Sequence, residues 1–160
     1  MSNHLNNIST IGSSEGKLLS IAGGNYRIII PGSDTDGQYA VIEMTVPPGA
    51  GPNPHAHPDF TETFYVVEGE VTFNTADGNF HAEKGAFIKI PEGGQIHGFK
   101  NQSDRPAKLL CTVIPAGLDE FFCEVSQYLA TNHPPDKDQI KAIFEKYGQT
   151  MYPENYFEAT

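Results

Sequence analysis

Tryptophan is absent from this 160-residue chain, cysteine occurs only twice, and 10 basic residues stand against 20 acidic ones. Each shortage excludes something. Cys111 and Cys123 form no CxxC pair and no recognised zinc spacing, so a disulfide scaffold or a cysteine zinc site is not read here. A formal charge of −10 repels polyanions, which makes nucleic acid and anionic membrane surfaces poor partners. No apolar run approaches the ~20 residues of a membrane-spanning helix. The opening MSNHLNNIST has neither a basic start nor an apolar core, so no secretory signal is read in it. The expectation is a cytoplasmic protein whose two thiols are inert and whose N-x-S triplets at Asn7 and Asn101 carry no meaning.

What the chain does have is many short apolar runs broken by turn residues. Residues 1–16 are polar and read as a loose arm. Nine runs follow, at 17–22, 26–30, 39–46, 60–67, 71–74, 80–82, 86–90, 96–100 and 108–114. Glycine, proline and aspartate punctuate them, and Ala76-Asp77-Gly78 reads as a tight hairpin turn. Such runs, rich in β-branched and aromatic residues, describe an all-β sandwich or barrel rather than a parallel α/β sheet.

From Leu118 the period changes. Phe121, Phe122, Val125 and Leu129 share one helical face, and Asp119 and Glu120 suit its first turn. A second helix is expected over 137–147, with Asp136 and Gln139 as a capping box, an apolar stripe of Ile140, Ile143, Phe144 and Tyr147, and Gly148 as its stop. The division that follows is a flexible arm at 1–16, a barrel at 17–115 and a helical extension at 116–160 covering one open side of the barrel.

Chemistry concentrates between Gly49 and Gly69. His55 and His57, one residue apart, project to the same face of an extended strand. Glu62 can return to the same spot on the next strand. His97, between the Pro91–Gly94 turn and a later strand, is the natural fourth member. Three imidazoles and a carboxylate suit one divalent transition metal ion, whether Mn, Fe, Co, Ni, Cu or Zn.

The spacing Gly49-x5-His55-x-His57-x4-Glu62-x6-Gly69 resembles the first motif of the cupin superfamily at every defining position. Gly85, Pro91, Gly94, His97 and Asn101 resemble the second, with one extra residue between Pro91 and the glycine that leads to His97. The wording PNPHAHPDFTETFYVVEGEVTF, followed by a helix after the last strand, is most similar to small single-domain cupins related to quercetin dioxygenases. That resemblance implies a double-stranded β-helix, or jelly roll. It also implies that His55, His57, Glu62 and His97 ligate the metal.

Three functions remain open for such a chain. A metal-dependent oxygenase would act on a small oxygen-rich substrate, with Glu62 as both ligand and general base. A non-catalytic cupin would only hold a sugar or an organic anion. A sugar isomerase would use the same ion to polarise a carbonyl. The oxygenase is preferred, because no arginine or lysine clamp for a phosphorylated sugar is evident near the motifs. Phe64, Phe73, Phe99 and Met44 are read either as core or as walls of a pocket beside the metal. Asn101 is read as tying down a turn, and His4, His81 and His133 as solvated. The expected partners are a small-molecule ligand in the barrel and a second copy of the chain, since the runs at 17–22 and 26–30 offer an edge strand that pairing would protect.

Overall fold

The computed structural model describes residues 8–21 and 23–158. Among the described residues there are eleven strands: β1 (Lys17–Ile21), β2 (Gly24–Ile30), β3 (Ala40–Val46), β4 (His55–Ala56), β5 (Thr61–Glu68), β6 (Glu70–Thr75), β7 (Gly78–Glu83), β8 (Phe87–Ile90), β9 (His97–Lys100), β10 (Ala107–Ile114) and β11 (Thr150–Met151). Two helices, α1 (Leu118–Thr131) and α2 (Lys137–Lys146), separate β10 from β11. The strands form two antiparallel sheets, ordered β1-β2-β3-β10-β5-β8 and β11-β4-β9-β6-β7. This is the jelly-roll architecture, with strands passing between two facing sheets.

Alternation sets the inner faces. In β3, Ala40, Ile42, Met44 and Val46 are buried while Val41, Glu43 and Thr45 are only partly so. In β10, Ala107, Leu109, Cys111 and Val113 do the same against it. Phe64, Phe73 and Phe99 meet between the sheets with ring centroids 5.1 to 5.5 Å apart. Such tilted contacts suit the quadrupoles of the rings.

All nine expected runs are strands, with ends shifted by one or two residues; Ala22, at the end of the first run, lies outside the described residues. The hairpin at 76–78 closes β6 onto β7 through the Thr75–Gly78 pair, with Gly78 at φ 118°. The extended segment expected at His55 and His57 is the two-residue strand β4 with the residue after it, while β11, also two residues long, carries too little periodicity to be read in sequence.

Of the expected loose arm, residues 1–7 lie outside the described residues. Residues 8–16 are exposed and form no regular element, yet Arg27 donates to the carbonyls of Gly12 and Glu15 at 3.3 and 3.0 Å. The end of the arm is thus tied to β2.

The helices start and stop where their side chains dictate. Asp136 Oδ1 accepts from the amides of Asp138 and Gln139 at 2.9 and 3.0 Å, one arm of the expected capping box. The reciprocal arm differs: the Asp136 amide donates to the Tyr128 hydroxyl at 3.0 Å, so Gln139 is not needed there. Gly148, at φ 71°, ends the segment. No helix among the described residues is long and apolar enough to cross a membrane.

Two glycines place the loop that delivers His55. A Cβ on Gly51, at φ 147°, would sit 2.0 Å from the Phe99 carbonyl oxygen, so only glycine lets this loop lie against β9. Gly49 donates to the Asn101 carbonyl at 2.7 Å, and Asn101 donates back to the Ala50 carbonyl at 2.9 Å. The two motifs are therefore joined by backbone hydrogen bonds.

Candidate metal centre

His55 in β4 pairs with His97 in β9, and His57 follows β4 by one residue. Glu62 comes from the other sheet, where it pairs with Ile90 and Val113. The residues proposed from sequence are thereby brought to one place where the sheets meet, with a ligand atom from each lying within 4.8 Å of the others. His57, Glu62 and His97 are buried, and His55 is partly open.

Three of these atoms form a tight triangle. His57 Nε2 lies 3.0 Å from Glu62 Oε2 and 3.2 Å from His97 Nε2, and His97 Nε2 lies 3.5 Å from Glu62 Oε2. All three bear lone pairs, so protons or a cation must sit among them. Ligand atoms ~2.1 Å from one ion and at right angles to each other would be ~3 Å apart, which fits these sides. The donor set and its spacing therefore fit a single divalent transition ion.

Backbone carbonyls orient two of the imidazoles. His55 Nδ1 lies 2.9 Å from the Asn53 oxygen, and His97 Nδ1 lies 2.8 Å from the Gln95 oxygen. A carbonyl only accepts, so Nδ1 carries the proton and each Nε2 keeps its lone pair for the centre. Burial pushes the His55 imidazole down to about 4, and the nearby His97 adds to this, against Glu62 and the Asn53 carbonyl. Neutral imidazole is the form that binds metal.

Burial alone would raise the Glu62 carboxyl, but the His57 and His97 imidazoles beside it prevail and hold it well below the usual carboxylate range. Its other oxygen, Oε1, accepts from the Cys111 thiol at 3.4 Å. Burial first, and then the Glu62 charge, push this thiol well above its ordinary range, so it stays a donor. Cys111, expected only as an inert thiol, is a buried residue of β10 whose thiol touches Glu62. That contact joins positions 49 residues apart, which no local pattern announces.

A cavity of about 480 Å³ opens beside the cluster, with His55 and Glu62 on its wall. Met44, Phe64 and Phe99 line it, so they serve both as core and as pocket wall; Phe73 is core alone. The rest of the wall is unexpected. Phe121, Phe122, Val125 and Leu129 of α1 and Ile140 and Phe144 of α2 close it. The helical extension thus does more than cover an open side of the barrel: it shapes the space in front of the cluster.

Tyr26 and Gln149 also line this cavity and were not singled out in sequence. The Tyr26 ring stands edge-on to Phe122 at 5.0 Å. Burial, with Cys111 and Glu62 nearby, raises its phenol well above the usual range, so it remains a donor. Among the described residues, no lysine or arginine lines the cavity. A larger cleft of about 930 Å³ lies outside, between β1–β2 and α1, and shares no residue with the cluster.

The remaining sequence candidates lie elsewhere. Exposed His81 meets Glu70 at 3.3 Å, His133 is exposed, and His4 lies outside the described residues. Asn101 ties down a turn as expected, donating to the Val46 and Arg105 carbonyls and accepting from Ser103. In the Pro91–Gly94 turn the extra residue is absorbed by two glycines in succession, Gly93 and Gly94, at φ 118° and 81°.

Two facing antiparallel sheets that bring three histidines and a glutamate together define a cupin, and residues 42–113 match the family described as cupin domain. The chain is a small cupin. It is 30% identical over 110 residues to quercetin 2,3-dioxygenase from Bacillus subtilis (strain 168), which covers 69% of this chain and 32% of that protein. The chain thus spans about a third of that relative's length. A sugar phosphate isomerase of the cupin superfamily from Silicibacter pomeroyi superposes with a TM-score of 0.52 at 25% identity, covering 57% of this chain and 59% of its own. KdgF from Halomonas sp. superposes with a TM-score of 0.62 at 16% identity, covering 71% and 99%, a likeness of fold alone.

Proposed function

We propose that His55, His57, Glu62 and His97 hold one divalent transition metal ion and that the protein is an oxygenase acting on a small, largely apolar molecule that presents an ionisable oxygen. The observation that carries this reading is the placement of His55 and Glu62 on the wall of an aromatic cavity that, among the described residues, no lysine or arginine lines. Such walls suit a flat, oxygen-bearing ring system and exclude water from it. The likeness to a quercetin 2,3-dioxygenase supports the same reading.

When bound, the ion supplies Lewis acidity toward the substrate oxygen and a redox-active centre. The chain does the rest. Glu62 accepts the substrate hydroxyl proton on its carboxylate. The Asn53 and Gln95 carbonyls hold His55 and His97 in orientation. Tyr26 offers a phenolic hydrogen to a substrate oxygen, and the helices keep water out. The likeness to a sugar phosphate isomerase would favour polar phosphorylated substrates, but the cavity offers no basic side chain to a phosphate.

We take residues 17–115 as the barrel, 116–160 as its helical cover, and the active species as a cytoplasmic homodimer. Oxygen uptake, measured with each plausible metal against a panel of enols and polyphenols, tests the function. Uptake with product formation is expected. Tight ligand binding without uptake under every metal rejects the oxygenase and leaves a binding module.

A further inference from the structure

Among the described residues, two buried side-chain nitrogens lack any hydrogen-bond partner, His57 Nδ1 and Gln149 Nε2. They are not scattered. Strand β11 pairs with β4 antiparallel through Thr150–Ala56 and Met151–His55, and the Tyr152 amide continues the ladder by donating to the Pro54 carbonyl at 2.9 Å. One step the other way sets Gln149 opposite His57. Directly opposed residues on antiparallel strands have Cβ atoms ~5 Å apart and share a face. Both residues are buried, at 3% and 1% exposure, so that face is the inner one.

Burying a polar nitrogen without a partner costs on the order of 1–3 kcal/mol, so two such atoms on residues that the register sets opposite one another call for a common explanation. His57 is the odd member of its set. His55 and His97 each give their Nδ1 proton to a backbone carbonyl, and His57 has no carbonyl in reach. Its Nε2 faces Glu62 and His97, so a bound ion would force the proton to Nδ1.

We infer that Gln149 is the positioning residue for His57: rotation about its side-chain torsions brings its carboxamide oxygen to the His57 Nδ1 proton once an ion occupies Nε2. Those torsions move between staggered wells and the last one is soft, so the amide is re-aimed without moving β11. Gln149 lies beyond the matched segment 42–113, so this chain's helical extension supplies the contact.

The inference rests on the metal reading above, and the test separates the two. Zinc affinity and the His57 Nδ1–H proton resonance are measured in zinc-loaded wild type, Gln149→Met and Gln149→Glu. The wild type is expected to show a protected Nδ1–H signal. Gln149→Met, which keeps the length but loses the acceptor, should lose that protection and ~10–100-fold in zinc affinity, the usual worth of such an outer partner. Gln149→Glu restores an acceptor and should restore both. Gln149→Met indistinguishable from wild type in signal and affinity overturns the inference while leaving the metal site standing. Gln149→Glu as impaired as Gln149→Met overturns it too. Should Gln149→Met not fold, a wild-type His57 that carries its proton on Nε2 with zinc bound decides against it. Wild type that binds no ion overturns the metal reading, and this one with it.

Discussion

His55 stands directly across the ladder from His97, with the rings 4.5 Å apart, and each ring is steered by a carbonyl two residues before it in its own chain segment. Backbone, not side chains, therefore aims these two imidazoles. Such a site is set when the strands pair, before any ion arrives.

Metal content should come to about one ion per chain after chelation and reloading, because the cluster supplies one ligand set. His57→Ala should lower affinity by more than the ~10–100-fold that an outer partner is worth. The fold should survive, since the aromatic core lies between the sheets and not in the cluster. Elemental analysis and circular dichroism check both points. Global unfolding of His57→Ala would mean that the metal is structural.

Glu62→Gln should reduce turnover per bound ion more than it reduces substrate binding. The amide keeps the size but loses the charge and the basicity, while the Cys111 thiol beside Oε1 still has an acceptor. A loss of ~100-fold or more is the scale of a general base. Activity per ion equal to wild type would remove Glu62 from that role.

Tyr26→Phe should leave metal affinity unchanged and lower kcat/KM by ~10-fold, the worth of one hydrogen bond of ~1.4 kcal/mol to substrate. The ring remains to pack on Phe122, so only the hydroxyl is tested. Unchanged kcat/KM would show that the phenol does not meet the substrate.

Asn101→Ala should destabilise the fold by about 2 kcal/mol, because it leaves the buried Val46 carbonyl without its donor and frees the turn at Ser103. For a chain of this size that lowers Tm by roughly 4–8 °C. Thermal unfolding followed by circular dichroism reads the shift, and a change below one degree would contradict it.

A homodimer is expected because β1 is an edge of its sheet and Leu18 on it is 68% exposed. Light scattering should give twice the chain mass at micromolar concentration, and Leu18→Lys should shift the mass toward the monomer. A monomer in the wild type refutes the expectation.

The sequence by itself determined the strands, the helical extension and the convergence of His55, His57, Glu62 and His97. Two-residue alternation and motif spacing are local, and they survive in the linear text. His-x-His puts two rings on one face wherever the strand goes, and Ala-Asp-Gly makes its turn unaided. Only tertiary structure decided what surrounds the cluster. Cys111 reaches Glu62 across neighbouring strands, α1 and α2 close the cavity, Tyr26 enters it from β2, and the pairing of β11 with β4 sets Gln149 opposite His57. These contacts depend on register and packing between segments far apart in the chain. An isolated Tyr, Cys or Gln carries no periodic signal of such a partner, so the second layer of the site exists only once the sheets have closed.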